Sequence, residues 1–82
     1  MSQFQTEVIK EYEEHGYIVL KLIRLNKSGY PDLLALKDGT AIFIECKEAN
    51  DTLKPLQKLR IGELRKNGFP AIALQEGKGL IY

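Results

Sequence analysis

An Asp38-Gly39 pair, flanked by Lys37 and Thr40, separates two strand-like runs at residues 33–36 and 41–47, and no other feature restricts the fold as tightly. Asp-Gly favours the two-residue turn that joins antiparallel strands, because both central positions need positive φ. Side chains of a strand alternate between faces, so the turn also sets which residues share a face across the hairpin. In such a pairing the start of the first strand lies beside the end of the second. Asp32, directly after Pro31, is thereby placed next to Glu45 and Lys47.

The rest of the chain must cover this hairpin. Phe4, Val8, Ile9 and Tyr12 recur at helical spacing, which predicts a helix over 4–15 stopped by Gly16. Residues 17–25 are nearly continuous in apolar character and rich in β-branched and aromatic side chains, as a strand packed on both faces would be. Asn26-Lys27-Ser28-Gly29 reads as a turn before Pro31. Beyond the hairpin, 48–54 reads as a loop, and Pro55 opens a second helix that ends at Asn67-Gly68. Residues 71–74 form a short fourth strand and Leu80-Ile81-Tyr82 an edge piece. The hairpin is antiparallel, whereas a strand-helix-strand crossover demands a parallel neighbour, so the sheet is mixed. The expected fold is α/β with the order αβββαβ, a mixed central sheet flanked by helices. At 82 residues it is expected to be one small domain over 1–82, too short for a second core.

Charged residues make up 28% of the chain and apolar ones 44%, a balance that argues against both disorder and a membrane protein. No apolar run approaches the ~20 residues of a bilayer span, and the first residues lack the basic-then-apolar layout of a signal peptide. The expectation is a cytoplasmic chain with no membrane partner. One cysteine and one histidine exclude an internal disulfide and a Cys/His zinc cluster, so any metal is held by oxygen. The net charge of +1 does not announce a nucleic-acid binder. Basic residues nevertheless bracket the hairpin: Lys21, Arg24 and Lys27 before it, and Lys54, Lys58, Arg60, Arg65 and Lys66 after it. Solvated helix faces and a DNA-backbone track are both open readings.

Glu45 and Lys47, two apart in a strand, project from one face while Cys46 points to the other. With Asp32 alongside, two carboxylates and an amine converge where an apolar strand emerges at the sheet rim. Two carboxylates suit Mg²⁺, which retains waters and leaves room for phosphate oxygens. The amine can then orient or deprotonate an attacking water and neutralise charge at phosphorus. A cross-strand ion pair of Lys47 with Asp32 or Glu45 on a solvated face would show the same spacing.

Gly29-Tyr30-Pro31-Asp32-Leu33-Leu34 followed by Ile44-Glu45-Cys46-Lys47 resembles the G-x-P-D-L…(I/V)-E-x-K signature of the virus-type replication-repair nuclease (VRR-NUC) family. This branch of the PD-(D/E)xK nucleases is similar to Holliday-junction resolvases. The likeness spans nearly the whole chain and includes Leu56-Gln57 and Gly68-Phe69. It implies a restriction-endonuclease-like fold and a Mg²⁺- or Mn²⁺-dependent endonuclease hydrolysing phosphodiester bonds in DNA. The implied ligands are Asp32, Glu45 and the backbone carbonyl of Cys46, with Lys47 as the catalytic lysine. The resemblance further implies a homodimer acting on branched or junction DNA in the cytoplasm, that of the host if the chain is phage-encoded.

Two glutamines extend the expected site. Gln57 falls at i, i+4, i+7 with Ile61 and Leu64 and so faces the sheet, where the resemblance places it against Lys47 or a water; a capping or interface role also explains it. In the first helix many PD-(D/E)xK nucleases carry an extra glutamate, but Glu7 lies well off the stripe of Phe4, Val8, Ile9 and Tyr12. Gln5 lies within that stripe, at the distance before Gly16 where related resolvases carry the acid. His15 is read as a partner of the helix C-terminus, Tyr12, Tyr17 and Phe69 as core, and Cys46 as a small buried hydrophobe. Tyr30, in the site turn, is placed to touch DNA. A non-catalytic DNA- or protein-binding module on the same fold is the alternative, and metal binding through Asp32 and Glu45 separates the two. An RNA-binding domain lacks its aromatic sheet motif or Gly-rich clamp here.

Overall fold

The hairpin forms as its turn dictates. In the computed structural model, which describes residues 2–82, Asp38 and Gly39 take φ of 51° and 77°. They join β2 (Leu33–Lys37) to β3 (Thr40–Lys47) in a register that pairs Lys37 with Thr40 and Leu33 with Ile44. Before this hairpin come α1 (Gln3–Glu14) and β1 (Ile18–Lys21); after it come α2 (Pro55–Lys66), β4 (Ala71–Gln75) and β5 (Gly79–Leu80). The strands lie in the order β1-β2-β3-β4-β5, and only the β3–β4 pair, joined through α2, is parallel. The mixed sheet and its crossover are those read from the sequence, with β5 at 79–80 in place of an edge piece at 80–82.

Strand alternation divides the core between the two helices. On one face Leu33, Ala35 and Ile44 are buried with Val8 of α1, and Phe4, Ile9, Tyr12, Tyr17 and Val19 pack around them. On the other face Ile61 of α2 is buried with Ala71 and Ala73, bordered by Phe43, Leu53, Leu64 and Ile81. Burial of Ile61 contributes about 2 kcal/mol. Ser2 caps α1 by accepting the Gln5 N–H at 3.0 Å, and Gly16, at φ 90°, ends it as expected. The α2 crossover covers β3 and β4, and that decides which residues of β3 are sealed from water.

The first strand departs from expectation. Residues 17–25 were expected to pack on both faces, yet β1 spans only four residues and leaves Ile18 and Leu20 exposed, as are Ile23 and Leu25 beyond it. Two causes are visible. The partner strand β2 starts at Leu33, after Pro31 and Asp32, and the last bond on this side runs from the Leu22 N–H to the Asp32 carbonyl at 2.8 Å. On the α2 side of the sheet, α2 sits over β3 and β4, so Ile18 and Leu20 face outward with their cross-strand partners Leu36 and Leu34. Phe69, read as core, is also corrected: it is 47% exposed, its ring edge-on to Phe43 at 6.2 Å, because it lies in the turn beyond α2.

Candidate active site

Three segments meet at the end of β3. Glu45 and Lys47 share the α2-facing side of the strand with Phe43 and are 3% and 4% exposed. A glutamate and a lysine rarely reach such burial unpaired. Asp32 enters from the residue before β2. Pairing of β2 with β3 ends at Leu33 and Ile44, so the next β3 amide on that side, that of Cys46, has no strand to meet. It donates to Asp32 Oδ2 at 3.1 Å. Alternate residues aim their backbone groups at opposite neighbours. Phe43 N–H and the Lys47 carbonyl bond on the β4 side, to Pro70 and Glu76, which leaves the carbonyl of Cys46 on the side of Asp32.

Burial sets the electrostatics. Removal from water, reinforced by neighbouring Asp32, pushes the Glu45 carboxyl up to about 8, although Lys47 at 4.0 Å opposes the shift. The Cys46 thiol is pushed up to about 12 by burial and by the same two carboxylates, so it stays protonated and is no nucleophile. It packs against the α1 core, on the face opposite Glu45 and Lys47.

The structure brings Gln57 and Gln5 to this cluster from opposite sides. Gln57 Nε2 donates to Glu45 Oε2 at 3.4 Å while its Oε1 accepts the Lys54 N–H at 2.9 Å. One amide thus caps α2 and meets the cluster, but its contact is with Glu45 in place of the expected Lys47 or water. Gln5 lines a cavity of about 340 Å³ with Lys21, Leu22, Ile23 and Asp32. Glu7 is exposed and accepts from Gln3 Nε2 in its own helix at 3.5 Å.

Two neighbours escaped the sequence reading. Asp51 Oδ2 lies 3.5 Å from Lys47 Nζ, closer than Glu45 does, and its carboxyl is held below the usual range first by the Thr52 N–H and then by Lys47. Gln75, 5% exposed and opposite Lys47 in the β3–β4 register, donates through Nε2 to the carbonyls of Glu48, Ala49 and Asp51 at 3.0, 3.3 and 2.6 Å. It gathers the loop that presents Asp51. The signal available was a polar residue closing the apolar strand 71–74, on the same face as Ala71 and Ala73.

The donor set suits a small hard cation. Among the described residues no three His, Cys, Asp or Glu side chains converge as a metal cage. A buried carboxylate, a second one on a backbone amide and a nearby strand carbonyl match an ion that takes one or two carboxylates and keeps its waters. Burial favours the neutral form of Glu45, and positive charge placed beside it would favour the carboxylate instead.

Comparisons with known proteins bear on the family and the fold. The family model described as the VRR-NUC domain matches residues 3–76. A UPF0102 protein of Roseobacter denitrificans is 33% identical over 63 residues, which are 70% of this chain and 49% of the relative. The chain thus spans about half the length of that curated relative. A solved structure titled VRR_NUC domain superposes with a TM-score of 0.76 at 32% identity, over 87% of this chain and 78% of the other. A second, titled VRR_NUC domain protein, shares the fold with a TM-score of 0.70 at 24% identity, covering 89% and 74%. With the signature residues gathered at the end of β3 and the family model matching residues 3–76, the chain belongs to the VRR-NUC family of nuclease domains.

Proposed function

We propose that this chain is a Mg²⁺- or Mn²⁺-dependent DNA endonuclease that hydrolyses phosphodiester bonds in branched DNA such as Holliday junctions. The observation that carries this reading is the buried Glu45–Lys47 pair, closed by Asp32 on the Cys46 amide. Asp32, Glu45 and the Cys46 carbonyl would hold the cation, which when bound supplies positive charge against the phosphate oxygens. Lys47, its ammonium held between Asp51 and Glu45, orients the water that attacks phosphorus and neutralises charge on the phosphate; only after losing its proton would its amine take one from that water. Gln57 steadies the Glu45 oxygen, and Gln5 reaches the Asp32 side of the site.

We extend it to a homodimer acting in the cytoplasm. A domain this small offers little surface to a four-way junction, and two sites related by a dyad suit paired incisions. The outward face formed by Ile18, Leu20, Leu34 and Leu36 suits a self-complementary contact with a second copy. No helix is long and apolar enough to cross a membrane among the described residues. The test is cleavage of four-way junctions, flaps, nicked duplex and linear duplex, with and without Mn²⁺. Metal-dependent cutting with branched substrates preferred is the expected result. Binding without cutting in every metal condition would instead identify a non-catalytic module.

A further inference from the structure

One stripe of α2 lies outside the core and, though partly open to solvent, carries a loop against it. Leu56, Arg60 and Glu63, at i, i+4 and i+7, lie along the loop 26–31 that leads into Asp32. Gly29, at φ 86°, comes so close to this stripe that a Cβ would sit 2.6 Å from Leu56 Cγ and 3.3 Å from Arg60 Cγ. Arg60 Nε donates to the Ser28 carbonyl at 2.9 Å, and its guanidinium lies over the Tyr30 ring at 4.8 Å. Its Nη1 donates to both oxygens of Glu63, at 3.2 and 3.1 Å. Tyr30 closes the ring by donating its hydroxyl to Glu63 Oε1 at 2.8 Å. Two residues further, past buried Pro31, stands Asp32.

Resting on the nuclease reading above, we infer that Arg60 is a positioning residue for the Asp32 carboxylate, acting through Ser28, Tyr30 and Glu63. Glu45 sits on a rigid strand and is touched by Gln57, whereas Asp32 lies just outside β2, held by the Cys46 N–H at its carboxylate and the Leu22 N–H at its carbonyl, with its approach set by the loop before it. The same helix carries Gln57 and Arg60, one turn apart, so α2 sets the spacing of the two carboxylates from both sides. A guanidinium is needed because three contacts in different directions, to a carbonyl, a carboxylate and a ring face, exceed what an ammonium makes. Arg60 is therefore not part of a DNA-backbone track, and Tyr30, with its hydroxyl engaged, serves the loop rather than the substrate.

The experiment measures Mn²⁺ affinity by calorimetry in wild type, Arg60→Ala, Arg60→Lys and Tyr30→Phe, with hydrogen exchange of the loop amides and circular dichroism as the check on folding. Outer-shell groups of this kind change metal affinity about 10- to 100-fold. Arg60→Ala and Arg60→Lys should both weaken Mn²⁺ about ten-fold and speed exchange in the loop, and Tyr30→Phe should fall between them and wild type. In a Glu45→Gln background the salt dependence of junction binding should not change when Arg60 is replaced. Wild-type Mn²⁺ affinity in Arg60→Lys, or a shallower salt slope in Arg60→Ala, would make Arg60 a phosphate contact and overturn the inference alone. Should Arg60→Ala fail to fold, Arg60→Lys and Tyr30→Phe decide the matter by the same readouts. A wild-type chain that binds no Mn²⁺ overturns the nuclease reading and this inference with it.

Discussion

A carboxyl held up to about 8 inside a folded chain makes stability depend on pH. Unfolded, Glu45 loses its proton near 4.5; folded, it keeps it to about 8. Between those values the folded state binds more protons, so stability falls as pH rises through this window and levels off above it. The metal-free protein should therefore melt at a lower temperature at pH 8 than at pH 5, and Glu45→Gln should flatten that difference. Thermal scans of both proteins, with and without Mn²⁺, check this; an equal slope in the variant would assign the effect elsewhere. Asp32→Asn and Glu45→Gln should each abolish cleavage while far-ultraviolet dichroism stays native, because each removes a charge from the cation. Lys47→Ala should keep Mn²⁺ binding and lose turnover by about 10²- to 10⁴-fold, since its contribution belongs to the transition state. Unchanged turnover with weakened metal binding would reverse that assignment.

At the level of elements, α1 provides a test of helix rotation. Gln5 borders the Asp32 cavity and Glu7 faces solvent. Glu7→Ala should be nearly silent, Gln5→Ala should slow cleavage, and Gln5→Glu should tighten Mn²⁺ binding, all read by calorimetry and cleavage assays. Loss of metal and activity in Glu7→Ala alone would refute the placement. The hairpin was legible because its instructions are local: the turn pair, the alternation after it, and the proline before Asp32 all lie within a few residues of what they control. The same holds for the Glu45–Lys47 face and for the inward stripe of α2 with Gln57. Residues 17–25 were misread because apolar composition says that a segment prefers burial, not whether another element reaches it. Asp51 and Gln75 were missed for a related reason. Gln75 reaches Lys47 and the loop 48–51 through the parallel β3–β4 register, which joins residues far apart in the chain, and it is this loop, so gathered, that turns Asp51 back onto Lys47 four residues before it. The latch of Tyr30 on Glu63 spans a similar distance, and a tyrosine beside a site motif gives no hint that its hydroxyl is already engaged.

For the molecule as a whole, the outward apolar face of β1 and β2 carries a prediction about assembly. Light scattering should show a dimer at micromolar concentration, and Ile18→Lys together with Leu20→Lys should give monomers that keep their fold, since both side chains are exposed. A wild-type monomer that cuts junctions at full rate would refute it. The tight turn at Asp38-Gly39 has a kinetic consequence as well. Asp32, Glu45 and Lys47 all belong to the hairpin or its margin, and hairpins close in about 1–10 μs. The parallel β3–β4 pairing waits for the whole crossover through α2, a slower, non-local event. The two carboxylates are thus neighbours while still hydrated, and the costly step comes when α2 settles over them and strips their water away. Divalent cations present during refolding should accelerate that late docking phase in stopped-flow traces, while leaving the earliest phase unchanged.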